Sequence, residues 1–336
     1  MSLLLSFFLL ALGLVLLIVG ADRLVRGVSA LAAAVGVSPL IIGLTVVAFG
    51  TSAPELVVNV LAGVRGKTDL AFSNIIGACV LNLGFVLPIV SFFHVVEVKR
   101  GIVRREVPML LLACAAMIFL AGDQFFDNEN HPDNFDHVDG VVLLLFFAVF
   151  LYYTINDALN PENRAKVVEE AKETIGGEVH PSVPKAVMMT IIGLVGIAAG
   201  GELSVRYAVA IAEAAGISQA VIGLTILSFG TTLPEMVTSV IAVRRGQSDI
   251  ALGNLVGSCI FNLLFIGGVV SVVRVIPVPT EPVSGHLHLL FFAFLSLMLM
   301  PLILLGRRRL TRGEGAFLLA AWMAYYGYVI WAQTTA

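Results

Sequence analysis

Apolar residues in this chain come in runs rather than in alternation. Ten stretches, at 3–22, 40–64, 70–93, 106–122, 139–157, 185–204, 220–243, 250–273, 286–305 and 315–333, carry few charges. Each is close to the roughly 20 residues that a helix needs to cross a hydrocarbon layer about 30 Å thick. Because the runs are apolar on every side, they match spans and not the one-faced helices of a soluble core. The pattern predicts an all-α polytopic membrane protein with ten transmembrane helices.

Composition narrows the class further. Of 336 residues, 58% are hydrophobic and only 13% charged, where soluble proteins carry about 25% charged residues. Soluble enzymes, secreted scaffolds and disordered chains are excluded. The apolar N-terminus lacks the basic n-region of a signal peptide and reads as the first span. Cys79, Cys114 and Cys259 all fall inside apolar runs, as packed small residues and not as a disulfide framework.

Charge then sets orientation. Of the 20 basic residues, Arg65, Lys67, Arg206 and Arg274 fall in one set of alternate loops and the remaining sixteen in the other. By the positive-inside rule this predicts a multi-pass cell-membrane protein with both termini outside and loop 159–184 cytosolic. That loop, with a helical stretch from Pro161 to Lys172, is too short for a folded regulatory domain. The outer loop from Asp123 to Asp139 has six acidic residues and no Lys or Arg, with His131 and His137 among them. Lacking the glycine and final glutamate of an EF-hand, it reads as a solvated acidic loop. Asp22 with Arg26, and Glu202 with Arg206, read as interfacial ion pairs. Trp322, Tyr325, Tyr326, Tyr328 and Trp331 read as an interfacial aromatic belt.

The strongest signal is self-similarity. GLTVVAFGTSAPELVVNVLAGVRGKTDLAFSNIIGACVLNLGFV from Gly43 aligns without a gap on GLTILSFGTTLPEMVTSVIAVRRGQSDIALGNLVGSCIFNLLFI from Gly223, an offset of 180 residues. So long a polar match in apolar sequence points to duplication. The chain divides into repeats at 1–158 and 185–336, joined by linker 159–184. Five spans separate the copies, an odd number, so the repeats are inverted. Inverted repeats bring broken helices together at the midplane around a site open alternately to each side, which favours a transporter over a channel.

Glu55 and Glu235 sit halfway along equivalent spans. A carboxylate there costs several kcal/mol unless partnered, and marks an ion or proton path unless it merely bonds a neighbouring helix. Pro54 and Pro234 precede them, and each removes the amide proton that would serve the carbonyl of Gly50 or Gly230. Free carbonyls with the hydroxyls of Thr51, Ser52, Thr231 and Thr232, beside a carboxylate, suit hard cations such as Ca²⁺ or Na⁺. In the next span Asn74, Ala78 and Asn82 share a helix face, as do Asn254, Ser258 and Asn262. This amide stripe either knits helices together or lines the site, with Gly77 and Gly257 allowing close approach. Two facing glutamates ionise together only around a cation, and one Ca²⁺, two Na⁺ or two protons would balance them.

At these residues the chain resembles the calcium/cation antiporter superfamily, and within it the compact prokaryotic sodium/calcium exchangers. Both halves carry G-T-S/T-x-P-E and the following asparagine motif. The resemblance implies an ion site of Glu55, Asn82, Glu235 and Asn262, completed by Ala48, Thr51, Ser52, Ser228, Thr231, Thr232 and Ser258. It implies a secondary antiporter exchanging Ca²⁺ for Na⁺, not an enzyme. Its partners would be the two ions and the bilayer, with no cofactor, nucleic acid or protein partner. Ala78 stands where many members carry serine, and Asn262 where some carry aspartate, leaving a formal site charge of −2 and arguing against K⁺ co-transport. The alternatives are a H⁺/Ca²⁺ exchanger and, more remotely, an intramembrane hydrolase using the glutamates as an acid/base dyad.

Overall fold

The computed structural model describes residues 3–99, 101–122, 133–161, 182–215, 228–280, 285–305 and 308–335. In chain order the helices are α1 (Leu3–Val35), α2 (Pro39–Thr51) and α3 (Ala53–Val64), and α4 (Thr68–Phe93). They continue with α5 (Val107–Leu120), α6 (His137–Leu159), α7 (Val183–Ala214) and α8 (Ser228–Arg244). The last three are α9 (Ser248–Val273), α10 (Gly285–Leu305) and α11 (Arg312–Thr335). Seven of these, α1, α4, α6, α7, α9, α10 and α11, are long and apolar enough to cross a membrane, and α2 with α3 makes an eighth as one bent span. Large apolar side chains such as Leu4, Phe8, Ile18, Leu145 and Val195 face outward, as a lipid-solvated exterior requires.

The chain forms two compact units, one of residues 1–52 and 152–257, the other of 53–151 and 258–336. In the first, α1 packs along α7 through glycines one heptad apart. A Cβ on Gly13, Gly20 or Gly27 would fall 2.7 Å from Ser204 Oγ, 2.7 Å from Ile197 N and 2.6 Å from Thr190 N. Because partner numbers fall as α1 numbers rise, the two helices are antiparallel. In lipid no hydrophobic force drives helices together, so backbone contact through small residues supplies the attraction. Gly257 likewise lets α9 approach α2, where a Cβ would lie 2.7 Å from Leu44 O and 2.9 Å from Ala48 Cβ.

In the second unit α4 and the C-terminal half of α9 cross at a pair of repeat-equivalent cysteines. Cys79 Sγ lies 3.7 Å from Cys259 O, and Cys259 Sγ lies 3.9 Å from Cys79 O. All three cysteines are buried free thiols. Gly84 accommodates Trp322 of α11, with a Cβ there 3.0 Å from the Trp322 Cβ. Two minimal antiparallel ladders close the ends, Val96–Glu97 (β1) with Arg309–Leu310 (β4) and Asn134–Phe135 (β2) with Ile276–Pro277 (β3). β1 and β3 are themselves 180 residues apart, so the duplication extends to these short strands.

Two helix features differ from the expected pattern for identifiable reasons. α1 continues past residue 22 to Val35 because Asp22 and Arg26 neutralise each other one turn apart, at 3.0 Å. The helix ends only at Gly36, whose φ of 69° suits glycine. α2 and α3 are separated at Ser52, with φ −87° and ψ 7°, as a broken helix should be. α8, by contrast, runs unbroken through Pro234, so the expected break occurs only in the first repeat. Pro234 is buried across from Gly201 and Leu17, and this packing offsets the one lost hydrogen bond, whereas Pro54 is only half-buried.

The C-terminal aromatic belt is also corrected. Trp322 and Tyr325 are each 9% exposed, packed against Phe85 and Phe291, because α11 turns this face to α4 and α10. Tyr328 and Trp331 remain exposed. Within the acidic loop, Asp136 caps α6 by accepting from Val138 N at 2.7 Å and Asp139 N at 3.0 Å. His137 Nδ1 lies 3.0 Å from the carbonyls of Ser271 and Val272. Asp133 pairs with His286 at 3.2 Å. His131, Asp127 and Glu129, and the helical stretch expected from Pro161 to Lys172 apart from Pro161 itself, lie outside the described residues.

Overpacking at a glycine seam costs about 1–3 kcal/mol. Gly20→Ala should therefore lower the thermal midpoint of the detergent-solubilised protein by several degrees. Gly327→Ala, where an added Cβ meets nothing within 4 Å among the described residues, should leave it unchanged.

Candidate functional site

Both repeats end the glutamate-bearing helix in the same way. Gly66 and Gly246 adopt φ of 73° and 74°. Lys67 N donates to Ala62 O and Gln247 N to Ala242 O, each at 2.8 Å. These six-to-one caps turn the chain sharply into α4 and α9. The hairpin register then sets a position on α4 or α9 beside each glutamate.

In the first unit the centre is Glu235, 1% exposed. Ser52 Oγ donates to its Oε1 at 2.9 Å. Asn254 Nδ2 donates to the Glu235 carbonyl at 3.3 Å and to Ser239 Oγ at 3.0 Å, while its Oδ1 accepts from Thr51 Oγ1 at 3.0 Å. Thr51 Oγ1 is also 3.3 Å from Ala48 O, which accepts Ser52 N at 3.0 Å. Thr232 is buried, and Thr231 Oγ1 is a buried oxygen with no hydrogen-bond partner among the described residues. The side chain of Ser228 lies outside the described residues. Gly230 is buried against Val205, and Gly50 against Leu194.

In the second unit the centre is Glu55, also 1% exposed. Asn59 Nδ2 donates to the Glu55 carbonyl at 2.8 Å, and Asn74 Nδ2 to Asn59 Oδ1 at 3.3 Å. Asn74 thus bonds residue 59 as Asn254 bonds residue 239, but the glutamate carbonyl is reached through Asn59 in one repeat and directly by Asn254 in the other. Asn74 and Asn254 hold the glutamate helices in place with their amides. Ser258 is fully buried. Gly257 makes the close approach foreseen for it, whereas a Cβ added at Gly77 meets nothing within 4 Å among the described residues; Leu224 and Ser228, the repeat equivalents of the Gly257 contacts Leu44 and Ala48, lie outside them, Ser228 by its side chain.

Asn82 and Asn262, both 1% exposed and in this unit, stand at widened turns. Residues Asn82–Val86 and Phe261–Ile266 are π-helical, and the N–H groups of Leu87 and Gly267 reach back five residues to Asn82 O and Asn262 O. Such turns inside α-helices recur at functional sites. Asn82 Oδ1 and Asn262 Oδ1 are buried without a hydrogen-bond partner among the described residues. Leaving such an acceptor unanswered costs about 1–3 kcal/mol, twice over at equivalent positions. Unanswered amide carbonyl oxygens are among the oxygen donors that hard cations take as ligands. Among the described residues no cluster of three His, Cys, Asp or Glu suggests a transition-metal centre.

Asn59 and Ser239 were not singled out from sequence. A signal existed: each lies four residues past its glutamate, and the 180-residue offset pairs two polar residues in otherwise apolar helices.

A multi-pass helical protein with carboxylates and orphaned amide oxygens buried in its spans has the chemistry of a cation carrier. The sodium/calcium exchanger protein family matches residues 5–156 and 185–331, and the chain belongs to that family. It is 33% identical to the putative antiporter CaxA of Alkalimonas amylolytica over 93% of this chain and 95% of that one. It is 25% identical to the sodium/calcium exchanger MaX1 of Methanosarcina acetivorans, covering 87% and 91%. The solved structure of the sodium-calcium exchanger NCX_Mj soaked with 10 mM Na⁺ and zero Ca²⁺ superposes with a TM-score of 0.81 at 28% identity, over 97% and 99% of the two chains.

Asn254 answers three buried groups, so Asn254→Leu leaves several unsatisfied at about 1–3 kcal/mol each. Its thermal midpoint should fall several degrees below that of Ser239→Ala, which removes one partner; equal midpoints would contradict the network.

Proposed function

We propose that this protein is a secondary-active antiporter that exchanges Ca²⁺ for Na⁺ across the cell membrane by alternating access. The observation that carries the reading is the repeat-equivalent set of buried oxygens. Glu55 and Glu235 are each 1% exposed, and the asparagine oxygens of Asn82 and Asn262 lack hydrogen-bond donors among the described residues. We assign these four side chains as ion ligands, with Thr51, Ser52, Thr231, Thr232, Ser258 and the backbone at Ala48 and Ser228 as further oxygen sources. The exchanger family and the named activity of MaX1 support the ion pair.

The charge balance gives the mechanism. Two carboxylates in a low-dielectric span are stable as anions only when cations answer them. One Ca²⁺ or two Na⁺ do so equally, and their similar radii let one oxygen set take either. Competition then couples the two fluxes: the loaded protein reorients, and the unneutralised one is penalised.

The architecture we infer is ten spans in two inverted five-helix repeats, with both termini outside and residues 159–184 cytosolic. The antiparallel register of α1 on α7, equivalent helices of the two repeats, supports the inversion. The glycine seam keeps α1 and α7 together as a pair able to slide. No resident cofactor enters this cycle, and the glutamates act as ligands, not as an acid/base dyad.

Proteoliposomes loaded with Na⁺ and diluted into K⁺ should take up ⁴⁵Ca²⁺. Glu55→Gln and Glu235→Gln should each lower uptake by at least tenfold. Uptake indifferent to the Na⁺ gradient but driven by a pH gradient would overturn the Na⁺ assignment and establish H⁺/Ca²⁺ exchange.

A further inference from the structure

Beside the face that bears Glu235 and Ser239, α8 carries a second line of polar groups, Thr231 and Thr238, and the turn that follows the helix places Arg245 just past its end. At heptad spacing these residues drift only about 20° per step around the helix. Thr231 lies one turn before Glu235 and Thr238 nearly one turn after it, so the line runs alongside the carboxylate. Thr238 is completely buried. Its Oγ1, like that of Thr231, has no hydrogen-bond partner among the described residues. A helical threonine ordinarily gives its proton to the carbonyl four residues back, here that of Pro234.

α1 packs against α8, and a Cβ on Gly201 of α7 would lie 3.4 Å from Pro234 Cγ and 3.8 Å from Leu17 Cδ1. Beyond Thr238 the line ends at Arg245, whose Nε donates to Asp22 Oδ1 at 2.8 Å while Nη2 engages the same oxygen. Asp22 also holds Arg26 at 3.0 Å. The first repeat has no counterpart to this line. Val58 stands where the second has Thr238, and Glu202, equivalent to Asp22, holds Arg206 at 3.8 Å with both side chains largely exposed. Arg65, equivalent to Arg245, is exposed and has no ion pair among the described residues.

We propose that the line Thr231–Thr238–Arg245 is the track along which a cation reaches and leaves Glu235, with the Thr238 hydroxyl as an intermediate ligand and the Asp22–Arg245 ion pair as its gate. A buried hydroxyl with no partner is a cost that a valine there would avoid; Val58 at the equivalent position is exposed. A partly dehydrated cation supplies the missing partner, since hydroxyl oxygens are among its usual ligands. The gate follows from charge: Asp22 at the end of the line attracts cations, and Arg245 seated on it repels them. With Arg245 withdrawn, Asp22 still has Arg26 and α1 keeps its seam on α7, so the gate opens without unfolding either helix.

The proposal rests on the exchanger reading, and its test separates the two. The solubilised protein is loaded with ⁴⁵Ca²⁺ and release into excess chelator is timed. Asp22→Cys/Arg245→Cys, oxidised to close the gate, should retain ⁴⁵Ca²⁺ at least tenfold longer than the same protein reduced, while the parent chain responds to neither treatment. Thr238→Val should slow release and loading about three- to tenfold with little change in the amount bound, and Thr238→Ser should restore the parental rate. Failure of the engineered cysteines to cross-link, equal release from oxidised and reduced forms, or parental kinetics in Thr238→Val would each overturn the path. A parent protein that binds no ⁴⁵Ca²⁺ would instead overturn the proposed function.

Discussion

A carboxylate held inside a hydrocarbon layer has to be answered by something, and most of this structure reads as the consequence of holding two of them. Glu55 and Glu235 are each 1% exposed in a membrane protein, where an unanswered charge costs several kcal/mol. The protein responds first with fixed hydrogen bonds: Ser52 to Glu235, and amide ties from Asn74 and Asn254 that fix each glutamate's backbone. It then leaves oxygens unused at the widened turns of α4 and α9. In the proposed function fixed dipoles hold the glutamates in place, and the unspent oxygens leave the rest of the charge balance to mobile ions, which a fully satisfied network would not.

Duplication explains why these devices come in pairs. The left-handed glycines at 66 and 246, the crossing cysteines, the π turns and strands β1 and β3 all recur at the 180-residue offset. Against that symmetry the differences stand out. The first glutamate helix is broken at Ser52, while the second runs through Pro234. Thr51 is engaged by Asn254, while Thr231 Oγ1 has no such bond. The inverted architecture we infer calls for halves that are alike in sequence and unlike in conformation in any one state, and the differences fall close to the glutamates.

Much of this was legible in the chain before folding. Runs of apolar residues located the helices because lipid admits no other spanning segment here, and Glu55, Glu235, Asn82 and Asn262 stood out as polar exceptions at matched positions. What the sequence concealed depended on neighbours. Hydropathy ended α1 at Asp22, since it cannot register that Asp22 is neutralised by Arg26 and Arg245. Proline predicted two breaks, since it cannot register that Pro234 is packed and Pro54 is not. Trp322 looked interfacial until Gly84 made room for it against α4. Asn59 and Ser239 were hidden because a polar residue one turn from a glutamate has no evident partner until the following helix supplies Asn74 or Asn254.

The central claim is that Ca²⁺ and Na⁺ answer the same two carboxylates. Equilibrium dialysis of ⁴⁵Ca²⁺ against the purified protein at constant ionic strength, with Na⁺ replacing K⁺, tests it directly. The apparent Kd for Ca²⁺ should rise with Na⁺ more steeply than in proportion, as displacement of one divalent ion by two or more monovalent ions demands, and binding should vanish in Glu55→Gln/Glu235→Gln. Ca²⁺ binding that is indifferent to Na⁺, or that survives loss of both carboxylates, would contradict the account.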